Sequence, residues 1–294
     1  MGKASLHAIT PLMTSPQPDV QFAAVRAAAF IGDPAAPRLL LAIAKTPGNS
    51  FRVNAVKTLG ELPPSPLVDR MVRDLLDSDQ ALVRIEAYKV LAAHKDRAAI
   101  FTRIVKKGDD EKFALDIVLS KGPPMVYATR QGIPRLAVFG SQTSLDMPAM
   151  FIAMNNRLTI SSSDQGGLVT IFYRGRKTIH VVSSPDLAEV AARLGGEGPP
   201  GNNGLDFSYG DVVAILQSLM DQQKVSGMQG SQRQIASFVL QEPSRFEDLI
   251  DSAPLLHDTG RPQSDQPASP PDSAEQKPAQ VGANVSGLSA PDAK

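Results

Sequence analysis

Phe51-Arg52-Val53-Asn54-Ala55-Val56-Lys57-Thr58-Leu59-Gly60 and Val83-Arg84-Ile85-Glu86-Ala87-Tyr88-Lys89-Val90-Leu91-Ala92 are two copies of one pattern. In each, an apolar residue precedes Arg, Ala follows three positions on, and Leu four positions after that. Upstream, Ala23 to Gly32 repeats the small residues and the Ile-Gly ending, and downstream Glu111 to Ser120 reads as a degenerate fourth copy. The equivalent positions Ala27, Ala55, Ala87 and Leu115 lie 28, 32 and 28 residues apart. Self-similarity at a fixed period of this size predicts stacked helical hairpins, each burying its apolar face on the next.

Residues 3–121 accordingly read as helices throughout. Asp19 is placed to cap a helix with Val20, Ala24, Ala27, Ala28 and Ile31 on one face, and Gly32-Asp33-Pro34 stops it. Pro37 opens the next helix, which closes at Pro47-Gly48-Asn49, and Phe51–Leu62 follows. Leu67–Leu76 pairs with Ala81–Ala93, and Ala98–Lys107 with Asp110–Leu119. In that last pair, Asp109-Asp110-Glu111 reads as negative charge favourable at a helix N-terminus. Small residues at Ala27, Ala55 and Ala87 would let successive helices cross closely.

After Gly122 the period changes from 3.6 to 2. Met125–Arg130, Arg135–Phe139, Met150–Met154, Arg157–Ser161, Leu168–Tyr173 and Thr178–Val182 read as strands, with Asn155-Asn156 and Gly175 at turns expected to need positive φ. Helices at Ser184–Leu194 and Tyr209–Val225 follow, then a short strand at Ile235–Leu240 and a helical turn at Phe246–Ile250. From His257 onward Pro, Ser, Asp, Gln and Ala dominate, a composition that does not support a packed core. The expected fold class is therefore α + (α+β): a short α-solenoid over 1–121, a small antiparallel-sheet α+β domain over 122–256, and a disordered tail over 257–294.

Composition removes several functions. Lys plus Arg and Asp plus Glu each total 30, and the first 121 residues carry 17 basic against 13 acidic side chains, too mild a bias for a nucleic-acid footprint. The absence of cysteine excludes disulfides, thiolate catalysis and Cys-ligated zinc. No stretch is long and apolar enough to span a membrane, and Met1 to Thr10 lacks the apolar core of an export signal, so the chain is expected in the cytoplasm. His7, His94, His180 and His257 have no partner at ligand spacing. The Gly195–Gly204 segment lacks the Lys of a phosphate loop and contains prolines that remove N–H donors. No catalytic constellation, metal or cofactor is expected.

Two basic groupings remain. Arg52 and Arg84, at the same repeat position, would line a concave binding face together with Lys89, or else pair within the stack. Arg174 and Arg176, within Tyr173-Arg174-Gly175-Arg176-Lys177, form a charged hairpin tip suited to an acidic partner or phosphate. The Arg-x-x-Ala-x-x-x-Leu pattern resembles HEAT-type repeats. The order of those repeats, then Gly122-Pro123-Pro124-Met125-Val126-Tyr127-Ala128-Thr129-Arg130 and Pro134-Arg135-Leu136-Ala137-Val138-Phe139-Gly140, is similar to the C-terminal portion of flagellar P-ring-like proteins of the planctomycete type. That resemblance implies a non-enzymatic scaffold contacting protein partners in an envelope or flagellar assembly, periplasmic if sequence precedes Met1. The alternative reading is a cytoplasmic nucleic-acid or ligand binder, with Arg52, Arg84 and Lys89 on phosphates.

Overall fold

The turn at Gly108-Asp109 decides how the middle of the chain folds. In the computed structural model, which describes residues 4–140, 142–163, 166–198 and 204–242, Gly108 has φ +59 and the flanking segments form an antiparallel hairpin. Strand β1 (Ile100–Lys107) and strand β2 (Asp110–Val118) pair from Ile100↔Val118 to Lys107↔Asp110. A two-residue Gly-Asp loop whose first residue has positive φ joins twisted strands, and only Gly takes that geometry without cost. The expected fourth helical pair, Ala98–Lys107 with Asp110–Leu119, is thus a β-hairpin, and Glu111–Ser120 is no repeat copy. Asp109-Asp110-Glu111 opens a strand, with Glu111 paired to Lys106 at 2.7 Å.

The helical layer comprises α1 (Ala4–Ile9), α2 (Pro18–Ile31), α3 (Ala36–Lys45), α4 (Arg52–Glu61), α5 (Pro66–Arg73) and α6 (Ala81–Ala93). Ala55 and Ala87 are fully buried, as close helix packing requires. In α2 the face is rotated from expectation: Phe22, Val25, Ala28 and Ala29 are buried, while Ala27 is partly exposed. Its N-cap is Gln17, with Pro18 in the first turn, and Asp19 sits inside the helix.

Strands β1 and β2 join β3 (Met125–Ala128), β4 (Arg135–Phe139) and β12 (Ser237–Leu240) in a five-stranded sheet of order β1-β2-β4-β3-β12. The sheet is mixed, because β2 runs parallel to β4 and β12 parallel to β3. Alternation sorts its side chains cleanly. Val118, Met125, Tyr127, Ala137 and Phe139 join the core of the helical layer, whereas Phe113, Leu115, Val126, Leu136 and Val138 face a second core. The expected α-solenoid followed by an antiparallel α+β domain is overturned: helices cover one face of a mixed sheet, and the rest of the described chain is mostly β.

That second core is completed by residues 140–236. They supply a four-stranded antiparallel sheet of β6 (Met150–Ala153), β7 (Leu158–Ser162), β8 (Val169–Arg174) and β9 (Thr178–Ser183). They also supply α7 (Leu187–Gly195), α8 (Tyr209–Asp221) and a small sheet of β5 (Ser144–Leu145), β10 (Val225–Gln229) and β11 (Gln232–Ile235). Helix α8 begins with a capping box in which Ser208 and Asp211 satisfy each other's backbone N–H groups. Asn155 and Asn156 have the expected positive φ, at 54° and 62°. Gly175 does not; a Cβ there would instead meet the Tyr173 ring at 2.7 Å. The expected helical turn at Phe246–Ile250 and the tail over 257–294 lie outside the described residues.

One polar node ties the helices to the sheet. The Asp116 side chain has no exposure, and its two oxygens accept from Thr102 Oγ1 at 2.6 Å, Tyr88 Oη at 2.5 Å and Arg135 Nη1 at 2.5 Å. Burial, reinforced by the adjacent carboxylate, pushes the Tyr88 hydroxyl far above the ordinary phenol range, so it stays a neutral donor. Replacing Asp116 by Ala strands three donors, one of them charged, and should cost about 3–5 kcal/mol of stability in urea unfolding. At Gly60 in α4, an added Cβ would collide with Val90 of α6. Gly60→Ala should therefore lower stability by roughly 1–2 kcal/mol despite the better helix former, and Val90→Ala in the same chain should recover much of that loss.

Candidate partner-binding surface

The two repeat arginines do one job in two settings. Arg52 Nε donates to the carbonyl of Ala44 at 2.9 Å, and Arg84 Nε donates to that of Leu76, also at 2.9 Å. Each reaches a carbonyl eight residues upstream, in or just beyond the preceding helix, where backbone acceptors lack intrahelical partners. Arg52 Nη2 continues to Ser78 Oγ at 2.9 Å and Asp79 Oδ1 at 2.6 Å, joining its hairpin to the next. At Arg84 the next hairpin is missing and the sheet replaces it: Nη2 donates to Ser120 Oγ at 3.2 Å, and the guanidinium lies 5.1 Å from the Phe139 ring centroid. Burial pulls Arg84 down to about 10, with Asp77 opposing the shift, so it remains charged at neutral pH.

Exposures of 6% and 2% leave Arg52 and Arg84 no surface to present. The concave face expected from them, and the phosphate contacts of the alternative reading, are therefore not formed by these two residues. Their shared packing role explains why both recur. Lys89 is exposed, is bound to Glu86 at 3.2 Å, and lines a recess between α6 and the strand ends. His94, which the sequence left without a partner, has Nδ1 2.6 Å from Asp69 Oδ1.

Arg174 and Arg176 occupy a different kind of place. The β6–β9 sheet buries one face, with Phe151, Ile160, Ile171 and Val181 in cross-strand register. Its opposite face holds two further rows: Met150, Ser161, Thr170 and Val182, then Ile152, Thr159, Phe172 and His180. Met150 is 56% exposed and Ile152 45%, both on the open edge strand β6. The β6–β7 and β8–β9 turns meet at one end of this sheet, where the Arg174 N–H donates to the Arg157 carbonyl at 2.8 Å. Arg157, Arg174, Arg176 and Lys177 are all exposed there, and among the described residues none of the four is in an ion pair. Arg174 lies 5.4 Å from the Phe172 ring centroid, linking the cationic end to the row that holds Ile152.

Arg157 and the Met150/Ile152 pair escape sequence reasoning because only strand register brings Arg157 next to Arg174 and sets Ile152 and Met150 one and two rows along the same sheet. Alternation along Met150-Phe151-Ile152 was the one available signal. Among the described residues no cluster of His, Cys, Asp and Glu is arranged to hold a metal, and no helix is long and apolar enough to cross a membrane. No protein-family model, curated protein or solved structure matches this chain.

The Arg52–Asp79 contact makes a titration prediction. Its hydrogen bond holds the Asp79 carboxyl down at about 2 from the ordinary 3.8. A depressed carboxylate contributes stability above its unfolded value, and that contribution fades as pH falls from about 4 through about 2. Carbon-13 NMR should give an Asp79 midpoint near 2 in low salt. Added salt should raise it, since the side chain is largely exposed, and Arg52→Met should return it towards the ordinary aspartate value.

Proposed function

We propose that this chain is a non-catalytic binding module that docks a protein partner carrying acidic side chains next to apolar ones. The observation behind this reading is the end of the β6–β9 sheet, where Arg157, Arg174, Arg176 and Lys177 have no acidic partner among the described residues, with exposed Ile152 in the next row of the sheet and exposed Met150 in the row beyond it. Cations with no described acidic partner favour an acidic surface and speed encounter with it, while Met150 and Ile152 supply apolar area at contact. Among the described residues no strand pairs with the outer edge of β6, which offers backbone groups that an extended segment of the partner can pair with. The sequence resemblance to P-ring-like proteins supplies the context: a structural component of an envelope or flagellar assembly. A nucleic acid would use the same four cations but has no use for Met150 and Ile152.

That difference sets the experiment. Fluorescence anisotropy with a peptide of alternating Glu and Leu should show binding weakened at least tenfold by Arg174→Glu with Arg176→Glu, and several-fold by Met150→Lys. Equal binding by wild type and both variants would overturn the proposal. Tighter binding to a DNA duplex, with a steep salt slope and no loss on Met150→Lys, would replace it with the nucleic-acid reading.

A further inference from the structure

Strand β1 is an outer strand of the five-stranded sheet, and among the described residues no strand pairs with its free side. Apolar edge strands invite pairing with another strand, and folded proteins guard them with lysines, bulges or a cover. The far half of β1 is guarded in that way: its register to β2 shifts between Val105 and Lys106, and Lys106 and Lys107 follow. The near half, Ile100-Phe101-Thr102-Arg103-Ile104, is not. Phe101 is 63% exposed and Ile104 40%, one on each face of the sheet.

Three backbone bonds fix which groups of β1 point outward. The Ala114 N–H donates to the Pro134 carbonyl and the Gly140 N–H to that of Val118, so the even-numbered residues of β2 turn to β4. The Leu119 N–H donates to the Ala99 carbonyl, so the odd-numbered ones turn to β1. Antiparallel partners alternate between exchanging both bonds and exchanging none. Phe101, Arg103 and Val105, opposite Ile117, Leu115 and Phe113, therefore bond to β2. Ile100, Thr102 and Ile104 direct their backbone groups at the free edge, except that the Ile100 N–H is already given to the Asp96 carbonyl at 3.1 Å.

The charges say what fits there. Arg103, the one charge in the run, is held by Glu189 at 2.5 Å and Glu197 at 2.7 Å, and Glu189 also lies 3.5 Å from Arg193. Two cations and two carboxylates cancel, so this edge favours neither an acidic nor a basic segment. It suits an apolar strand whose backbone groups match its own, and a second copy of the run meets it without repulsion.

From this we infer that β1 pairs with β1 of a second copy, antiparallel, about a two-fold axis at Thr102. Thr102 then exchanges both backbone bonds with its counterpart, and the Ile104 N–H of each copy reaches the Ile100 carbonyl of the other. Phe101 comes opposite Arg103 as a non-hydrogen-bonded pair, where side chains lie closest, and its exposed ring meets the guanidinium. Other centres fail. One at Arg103 sets two guanidinium groups opposite each other, one at Ile104 runs into the bulge, and one at Phe101 relies on the Ile100 N–H that Asp96 holds. The contact is isologous and closes at a dimer. So short a pairing falls well below the roughly 1,600 Å² of a standard interface, so the Kd should be on the order of 100 µM.

Sedimentation velocity and residue-resolved amide exchange on the full chain test this. Between about 10 µM and about 1 mM the chain should pass from mostly monomer to mostly dimer. Over the same range the Thr102 and Ile104 amides should slow at least threefold, while those of Phe101 and Arg103 stay unchanged. Ile104→Lys and, separately, Phe101→Lys alter exposed side chains; each should keep the wild-type melting temperature and stay monomeric throughout. A wild-type chain that is monomeric at the highest concentration would overturn the proposal. So would Thr102 and Ile104 amides that are slow at every concentration, because the edge would then be covered within one chain. A dimer that survives both folded lysine variants would overturn it as well, and its loss on Met150→Lys would move the contact to β6.

Discussion

A carboxylate with no exposure, Asp116, is the point on which the two halves of the structure depend. Its three donors come from α6, β1 and β4, so the first strand hairpin, the central strand and α6 are oriented against one acid. Such a group is expensive to bury, and the expense is met only while every donor is in place. The node therefore specifies geometry more than it adds stability. An apolar contact between α6 and the sheet would tolerate sliding, whereas three hydrogen bonds on two oxygens fix both register and rotation. Tyr88 continues the effect outward by packing edge-to-face on Tyr127 and Phe139.

Arg52 and Arg84 show how a helical stack is converted into a cap for a sheet. Both reach back eight residues to a carbonyl, and in the first case the outer end of the guanidinium meets the acid and hydroxyl in the turn of the next hairpin. In the second, Ser120 and Phe139 stand where that next hairpin would be. The same side chain that at Arg52 joins one hairpin to another at Arg84 joins α6 to the sheet. The repeat ends by substitution of its neighbour, with its own internal geometry unchanged.

Much of this was legible in the sequence, and the failures have a common physical origin. Helices α2 to α6 follow the apolar spacing and the Gly and Pro stops, and Arg135–Phe139 is a strand over the whole predicted range. The segment Lys112-Phe113-Ala114-Leu115-Asp116-Ile117-Val118 was misread because a strand buried on both faces loses its alternation and reads as a continuous apolar run. Its turn, Gly108-Asp109, and its β-branched partner strand carried the correction. The proposed binding surface was half legible: Arg174 and Arg176 stand out as a charged turn, while Arg157, Met150 and Ile152 are placed only through register.

The sheet topology also bears on how the chain is made. Strand β3 ends at Ala128, and its parallel neighbour β12 begins at Ser237, with the whole second layer encoded between them. At ordinary translation rates of about 5–20 residues per second, β3 waits on the order of 5–20 s for that neighbour to leave the ribosome. During that interval the nascent protein carries a helix-backed sheet with one bare, strongly apolar border, Met125-Val126-Tyr127-Ala128. Synthesis therefore passes through a stage at which another strand, or a chaperone, can occupy the place reserved for the last one.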